Sequence, residues 1–139
     1  MKLETASKSK SYMRVALQGA SGSGKTYSAL RLAFGLTRND NIAIVDTENG
    51  SAHLYSSLGN YQVLQLTAPF TPERYKEAID VCIANGIETI VIDSLSHEWE
   101  GNGGILEMHG SSTGSNSFAN WAKITPRHNA LIQHILNTP

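Results

Sequence analysis

The sequence predicts an α/β protein in which a mainly parallel sheet lies between two layers of helices. Three observations favour this class. Short apolar runs recur along the chain, segments with helical spacing separate them, and a glycine-rich loop stands between a predicted strand and a predicted helix. Strands that alternate with helices are typical of parallel sheets, because a parallel connection must cross back over the sheet.

The glycine-rich loop spans residues 19–26 and reads Gly-Ala-Ser-Gly-Ser-Gly-Lys-Thr, a complete G-x-x-x-x-G-K-[ST] motif. Its glycines let successive backbone N–H groups surround a phosphate group. Lys25 is placed to reach the β- and γ-phosphates of a nucleotide, and the Thr26 hydroxyl to ligate Mg²⁺. The predicted nucleotide-binding residues are Gly19, Ser21, Gly22, Ser23, Gly24, Lys25, Thr26 and Tyr27.

The flanks of the loop are those that the motif requires. Residues 12–18 predict a strand before the loop, and residues 28–36 carry apolar side chains at helical spacing after it. The helix would point its positive dipole end at the bound phosphate. We expect residues 1–11 to form a flexible N-terminal segment and residues 12–139 to form the nucleotide-binding domain.

Three further strands are predicted at residues 42–46, 61–66 and 89–93. The first and third of them are continuous β-branched runs, which are typical of strands buried on both faces of a parallel sheet. Residues 72–85 predict a helix, since a threonine N-cap, a proline and a glutamate begin it and a glycine comes after its end.

The last third of the chain differs in composition. Residues 101–117 are rich in Gly, Ser and Asn and predict a long loop, with one helical turn at residues 105–108. Residues 118–136 predict a helix that is interrupted at Pro126. The predicted loop contains no Lys or Arg, so it offers little electrostatic support for binding a nucleic acid.

Composition and charge exclude several classes of protein. The formal net charge of −1, with 17% charged residues, gives no bulk electrostatic attraction to nucleic acid or to an anionic membrane. The single cysteine, Cys82, cannot form an internal disulfide, which fits a reducing compartment. The N-terminus lacks the apolar region of a secretory signal, and no apolar run reaches the length of a membrane span. We therefore expect a cytoplasmic protein with no membrane partner.

Carboxylates stand at the ends of two of the predicted strands. Because the carboxyl ends of parallel strands meet at one edge of the sheet, Asp93 is expected near the glycine-rich loop, where it would hold Mg²⁺ together with Thr26. Asp46 and Glu48 close the strand at residues 42–46, and either carboxylate could position a water for attack on the γ-phosphate. Spacing alone does not choose between them.

Other polar side chains have plainer interpretations. The histidines do not have the spacing of a zinc site, and His97 is expected to pack or to hydrogen-bond near the site. Lys123, Arg127 and His128 predict a solvated helix face, with phosphate contacts or a trans-acting arginine finger as the alternatives.

The glycine-rich loop, the Asp-x-Glu at residues 46–48 and the Val-Ile-Asp-Ser at residues 91–94 together resemble RecA-like recombinase ATPases. The Asp-Ser-Leu-Ser-His-Glu-Trp-Glu-Gly at residues 93–101 and the sequence at 121–126 are similar to compact AAA-domain ATP-binding proteins of bacteriophages and prophages. The resemblance implies a P-loop NTPase of RecA-like αβα architecture, with ATP and Mg²⁺ as cofactors. It also implies that Glu48 activates the water, and that the protein acts on single-stranded DNA in recombination or annealing.

The resemblance also sets limits. RecA-like ATPases continue with another core strand that carries a γ-phosphate sensor, and this sequence stops where that strand should begin. We therefore expect a truncated domain whose sheet has open edges. No Asn-Lys-x-Asp-like guanine motif occurs, which favours ATP over GTP. A small-molecule or nucleotide kinase and a non-hydrolysing nucleotide switch are the alternative functions, and a homo-oligomer is left open.

Overall fold

The computed structural model describes residues 3, 5, 12–37, 40–111 and 117–138. The predicted N-terminal segment at residues 1–11 therefore lies outside the described residues, apart from positions 3 and 5. None of the helices in the described part of the chain is long and apolar enough to cross a membrane.

Helices and strands alternate through most of the described chain. The elements are, in order, α1 (Lys25–Leu36), β1 (Ile42–Asp46), a 3₁₀ helix (Ser51–Leu58), β2 (Gln62–Gln65), α2 (Pro72–Ala84), β3 (Thr89–Asp93), α3 (Ser96–Glu100), α4 (Ile105–Ser111) and α5 (Ser117–Asn137). The strands predicted at residues 42–46, 61–66 and 89–93 and the helices predicted at 28–36 and 72–85 are thereby confirmed.

The three strands form a parallel sheet in the order β2–β1–β3. Alternate side chains of the strands enter two separate apolar clusters. Ile44 of β1 packs with Leu30 of α1 on one face, whereas Val45 packs with Tyr75 of α2 and Leu131 of α5 on the other. Helices therefore cover both faces, and the predicted α/β three-layer architecture is confirmed.

The predicted strand at residues 12–18 is wrong. The segment has no regular secondary structure and joins no sheet, since β3 pairs only with β1 among the described residues. Its apolar side chains are open to solvent, with Met13 65% and Val15 57% exposed. Arg14 fastens the segment instead to the end of α5, where its Nε donates to the carbonyl of Ile135 at 2.7 Å. In the described part of the chain the segment therefore pairs with no strand, although it lines the same cavity as β3.

The predicted interruption of the last helix is also wrong. Helix α5 continues through Pro126, although proline has no N–H for the carbonyl four residues earlier. Buried side chains lie on both sides of this position, Ile124 before the proline and Leu131 after it. The packing of these side chains outweighs the cost of the lost hydrogen bond. A prediction from the local sequence counts only that cost and therefore interrupts the helix.

The predicted loop at residues 101–117 is partly helical. A glycine turn at residues 101–104 leads directly into α4, which is longer than the single turn expected. Gly103 has a φ of +78°, and a Cβ at this position would collide with the Cβ of Pro69. The turn therefore needs glycine both for its backbone angle and for its close contact. Residues 112–116 lie outside the described residues.

Candidate active site

The glycine-rich loop turns sharply into the first helix. Gly22 and Gly24 have φ angles of +74° and +84°, a region that side chains with a Cβ seldom occupy. The N–H of Ser23 donates to the carbonyl of Ala20 at 3.2 Å, and α1 begins at Lys25. A glycine loop with left-handed backbone angles at the start of a helix is typical of sites that bind phosphate groups.

The side chains of the loop differ in their surroundings. The Nζ of Lys25 donates to the carbonyl of Ala20 at 2.9 Å, so the ammonium group lies over its own loop. Gly19 is held close, since a Cβ there would lie 2.7 Å from the Oγ of Ser23. Ser21 and Tyr27 are exposed at the outer surface of the loop and helix.

Thr26 and Asp93 are brought into contact although they lie 67 positions apart. The Oγ1 of Thr26 donates to Oδ2 of Asp93 at 2.5 Å. Helix α1 brings the hydroxyl to this point and the carboxyl end of β3 brings the carboxylate. Hydroxyl and carboxylate oxygens are hard donors of the type that Mg²⁺ binds, so these two residues fit a magnesium ion held between loop and strand.

Asp46 and Glu48, which spacing could not separate, have different environments. Asp46 is fully buried, and its carboxylate accepts hydrogen bonds from the N–H of Glu48 at 2.7 Å and of Ala52 at 3.1 Å. The carboxylate of Asp46 thus anchors the turn after β1. Glu48 has an exposed side chain. Of the two carboxylates, only that of Glu48 is open to a water and a nucleotide.

Thr47 joins the ends of β1 and β3, a role that sequence reasoning missed. Its N–H donates to the carbonyl of Asp93 at 2.9 Å, and its Oγ1 accepts from the N–H of Ser94 at 2.9 Å. The same Oγ1 lies 2.7 Å from Nδ1 of His97. Thr47 therefore fixes the end of β3 beside that of β1. The available signal was its place inside the Asp-x-Glu motif.

The buried side chain of Tyr75 also contacts this junction between β1 and β3. The hydroxyl of Tyr75 donates to the carbonyl of Ser94 at 2.9 Å, and burial raises the pKa of Tyr75 to about 12. The ring of Phe70 stacks on His97 with centroids 4.9 Å apart. His97 thus both packs and hydrogen-bonds beside the site, as the sequence predicted.

The polar face predicted on the last helix is largely paired. The guanidinium of Arg127 makes two hydrogen bonds to the carboxylate of Glu73, at 2.7 and 2.8 Å. The Nδ1 of His128 lies 3.1 Å from the buried carboxylate of Glu98. Among the described residues, no group of three or more His, Cys, Asp or Glu side chains is arranged to hold a metal ion. The side chains that could bind Mg²⁺ are thus one hydroxyl, that of Thr26, and one carboxylate, that of Asp93.

Comparison with known proteins agrees with this arrangement. A family model described as AAA domain matches residues 11–139. Searches of the curated proteins and of the solved structures found no match. AAA domains are nucleotide-binding ATPase domains, and the small parallel sheet with its flanking helices is consistent with a P-loop NTPase fold. Because the matched region spans nearly the whole sequence, the chain belongs to the AAA-domain family.

Proposed function

We propose that this AAA domain binds ATP with Mg²⁺ at the loop of residues 19–27 and hydrolyses it with Glu48. The observation that carries the proposal is the hydrogen bond between Thr26 and Asp93, which joins the start of α1 to the end of β3. Two oxygen donors of the right kind thus meet beside a loop shaped for phosphate. The carboxylate of Glu48, two residues beyond the end of β1, is exposed.

Each residue has a defined part in this proposal. The loop amides hold the phosphate oxygens, and Lys25 exchanges the Ala20 carbonyl for the β- and γ-phosphates. Thr26 and Asp93 would hold Mg²⁺, which would neutralise charge on the phosphates when bound. The carboxylate of Glu48 orients the attacking water and accepts its proton, and ADP leaves as the bond to the γ-phosphorus breaks.

The finer part of the proposal is work on single-stranded DNA, of the phage recombination or annealing type. It rests on the resemblance to RecA-like ATPases and on a group of stacked rings between α3, α4 and α5. Trp121 stacks with His109 at 4.3 Å and with Trp99 at 6.0 Å, and Trp99 is 43% exposed. Exposed aromatic rings bind unpaired bases by stacking.

The nucleotide part is tested by measuring Mg–ATP binding and ADP release by the purified chain. We expect Lys25→Ala to abolish binding, and Glu48→Gln to retain binding while turnover falls by about 10²-fold or more, the usual weight of a general base. Glu77→Gln, on the exposed face of α2, is the matched control and should leave both unchanged. Turnover that survives Glu48→Gln contradicts the role of Glu48, whereas binding without turnover in the wild type supports a nucleotide switch.

The DNA part is tested separately with a fluorescent single-stranded oligonucleotide. We expect binding that weakens in Trp99→Ala and is largely retained in Trp99→Phe, because the exposed ring at this position is the one open to a base and phenylalanine can still stack. Binding should depend only weakly on salt, since residues 101–117 contribute no Lys or Arg to phosphate contacts. Equal binding by both variants would exclude the ring group as the DNA contact, and no binding at all would leave an ATPase without a DNA role.

A further inference from the structure

The imidazole ring of His97, on α3, is held in a fixed place. It stacks on the ring of Phe70, with an angle of 21° between the ring planes. The carbonyl of His97 accepts from the N–H of Gly101 at 2.9 Å, and the N–H of Phe70 donates to the carbonyl of Asn102 at 2.8 Å. A Cβ at Gly101 would lie 2.6 Å from the carbonyl oxygen of His97 and 2.7 Å from Cδ2 of Phe70. Helix, turn and ring thus pack closely, which leaves the imidazole little freedom to move.

The Nδ1 of this ring meets the hydroxyl of Thr47, at 2.7 Å from its Oγ1. That oxygen accepts from the N–H of Ser94 at 2.9 Å, so its single hydrogen is left for Nδ1 or for the carbonyl of Ser94, 3.2 Å away. The carbonyl of Ser94 already accepts from the hydroxyl of Tyr75 at 2.9 Å. The hydroxyl of Thr47 therefore donates to the nearer Nδ1, and the ring carries its own hydrogen on Nε2.

The position of Thr47 bears directly on the proposed catalytic carboxylate, because Thr47 immediately precedes Glu48 in the chain. The N–H of Thr47 donates to the carbonyl of Asp93 at 2.9 Å, and its Oγ1 accepts from the N–H of Ser94. Thr47 is thus attached to the end of β3 at two consecutive residues. The orientation of its hydroxyl, on which the second attachment depends, is set by His97.

We propose that His97 is a positioning residue of the ATPase: its Nδ1 orients the hydroxyl of Thr47 and so keeps Glu48 correctly placed relative to Asp93. The inference rests on the proposed function, since it concerns the residues assigned to the water and to Mg²⁺. His97 acts through Thr47 and not by touching the nucleotide. A misplacement of about 1 Å can slow a reaction about 100-fold, whereas nucleotide binding at the loop is affected less. The expected signature is therefore a lower kcat with an unchanged KM.

The competing explanation is that His97 only packs against Phe70, and two substitutions separate the two roles. His97→Phe keeps a flat ring that can stack on Phe70 but offers no acceptor to Thr47. His97→Asn has no ring but places an amide group close to the position of Nδ1. A role through Thr47 predicts that the asparagine variant keeps its turnover and the phenylalanine variant loses it. A role in packing alone predicts the reverse.

The test measures kcat and KM for Mg–ATP with the full chain. We expect kcat to fall about 10-fold or more in His97→Phe while KM stays within about 2-fold, and kcat of His97→Asn to stay within about 3-fold of the wild type. His134→Phe is the matched control, since His134 pairs with the exposed carboxylate of Asp80 at 2.8 Å and contacts neither Thr47 nor the loop. Its kinetic constants should equal those of the wild type.

Two further measurements support the same comparison. After Thr47→Val has removed the hydroxyl, His97→Phe should lower kcat no further, because both changes break the same hydrogen bond. Hydrogen exchange of the Ser94 amide needs no nucleotide and should be faster in His97→Phe than in His97→Asn. If His97→Phe does not fold, His97→Leu replaces it, because leucine and asparagine have nearly the same shape and only asparagine has an acceptor.

The outcomes distinguish this proposal from the proposed function. Glu48→Gln is measured in the same assay. If it loses turnover while His97→Phe keeps it, the positioning role is overturned and the ATPase stands. If His97→Asn loses as much kcat as His97→Phe, or if the losses in the double variant multiply, His97 does not act through Thr47. If the wild type has no turnover or Glu48→Gln retains it, the proposed function fails. Equal exchange of the Ser94 amide in all chains would then overturn the role of His97 at the junction as well.

Discussion

Strands β1 and β3 have nearly the same sequence pattern, but the aspartates at their ends have different hydrogen-bond partners. Each has five residues, four of them mainly apolar and the last an aspartate, and the two strands pair in register so that Asp46 lies beside Asp93. The carboxylate of Asp46 accepts two backbone N–H groups of the turn after β1. The carboxylate of Asp93 accepts instead the hydroxyl of Thr26, at the start of α1.

The cause of this difference lies in the path of the chain beyond each strand. After β1 the chain turns back through Gly50, at a φ of +87°, into the 3₁₀ helix, and this turn brings its N–H groups over Asp46. After β3 the chain leads into α3 while Thr47 holds the strand end from the side, so that the carboxylate of Asp93 faces α1. Two aspartates at equivalent strand ends thus differ in their partners: the carboxylate of Asp46 is used by the N–H groups of its own turn, whereas that of Asp93 faces the hydroxyl of Thr26.

The largest effect is expected for Asp46→Ala. Removal of the carboxylate leaves two N–H groups in the turn without an acceptor, and one of them, that of Ala52, is buried. At about 1–3 kcal/mol for each unsatisfied group, we expect the free energy of unfolding to fall by about 2–4 kcal/mol. Asp46→Asn keeps one acceptor oxygen and should lose less. Urea denaturation measures both, and a loss below about 1 kcal/mol for Asp46→Ala would show that the turn does not need the carboxylate.

The complementary substitution is Asp93→Ala. This change removes one hydrogen bond to Thr26, so the free energy of unfolding should fall by only about 1 kcal/mol. The affinity for ATP in the presence of Mg²⁺ should fall about 10- to 100-fold. Urea denaturation measures the change in stability, and titration calorimetry with and without Mg²⁺ measures the change in ATP binding. If Asp93→Ala destabilised the fold as much as Asp46→Ala, the proposed division between the two aspartates would be wrong.

A smaller effect is expected at the junction between the two strands. Thr47→Val keeps the shape of the side chain but removes the oxygen that accepts from Ser94 and contacts His97. We expect a loss of about 1–2 kcal/mol in unfolding free energy, together with a lower turnover of ATP. Thr47→Ser retains the hydroxyl and is the matched control. Equal stability of the valine and serine variants would show that the hydroxyl does not hold the strand ends together.

Local patterns were sufficient to predict much of this comparison. The β-branched runs predicted β1 and β3, and the rule that parallel strands end at one edge predicted that Asp93 lies near the phosphate loop. Thr26 and Asp93 do meet, though their roles toward Mg²⁺ remain predictions. The sequence also predicted α2, because its N-cap is local: the Oγ1 of Thr71 accepts from the N–H of Arg74.

The features that local patterns could not predict depend on distant neighbours. Residues 12–18 have the composition of a strand, but pairing needs an adjacent edge, and the segment instead forms one wall of a cavity. Pro126 is a local helix breaker, yet packing on both sides of it maintains α5. Spacing could not separate Asp46 from Glu48, because both side chains would point to the same side if the strand continued; their different environments appear only with the turn after β1.

The smallest effect on stability is expected for Glu73→Gln, because the carboxylate of Glu73 is exposed. It serves as the reference for Asp46 and Asp93. The hydrogen bonds from Arg127 hold the pKa of Glu73 below its ordinary value. A carboxylate with a lowered pKa in the folded state stabilises the protein above its unfolded pKa, near 4.5, and this contribution disappears as the pH falls through the lower, folded pKa.

The side chains of Glu73 and Arg127 are both more than a third exposed, so water screens the pair and Glu73→Gln should cost less than about 1 kcal/mol at neutral pH. Thermal unfolding at pH 7 and at pH 3 should therefore show a small difference between wild type and variant that narrows in acid. A difference that widened in acid would mean that the ion pair does not stabilise the contact between α2 and α5. Glu73 could then not serve as the exposed reference for the buried Asp46.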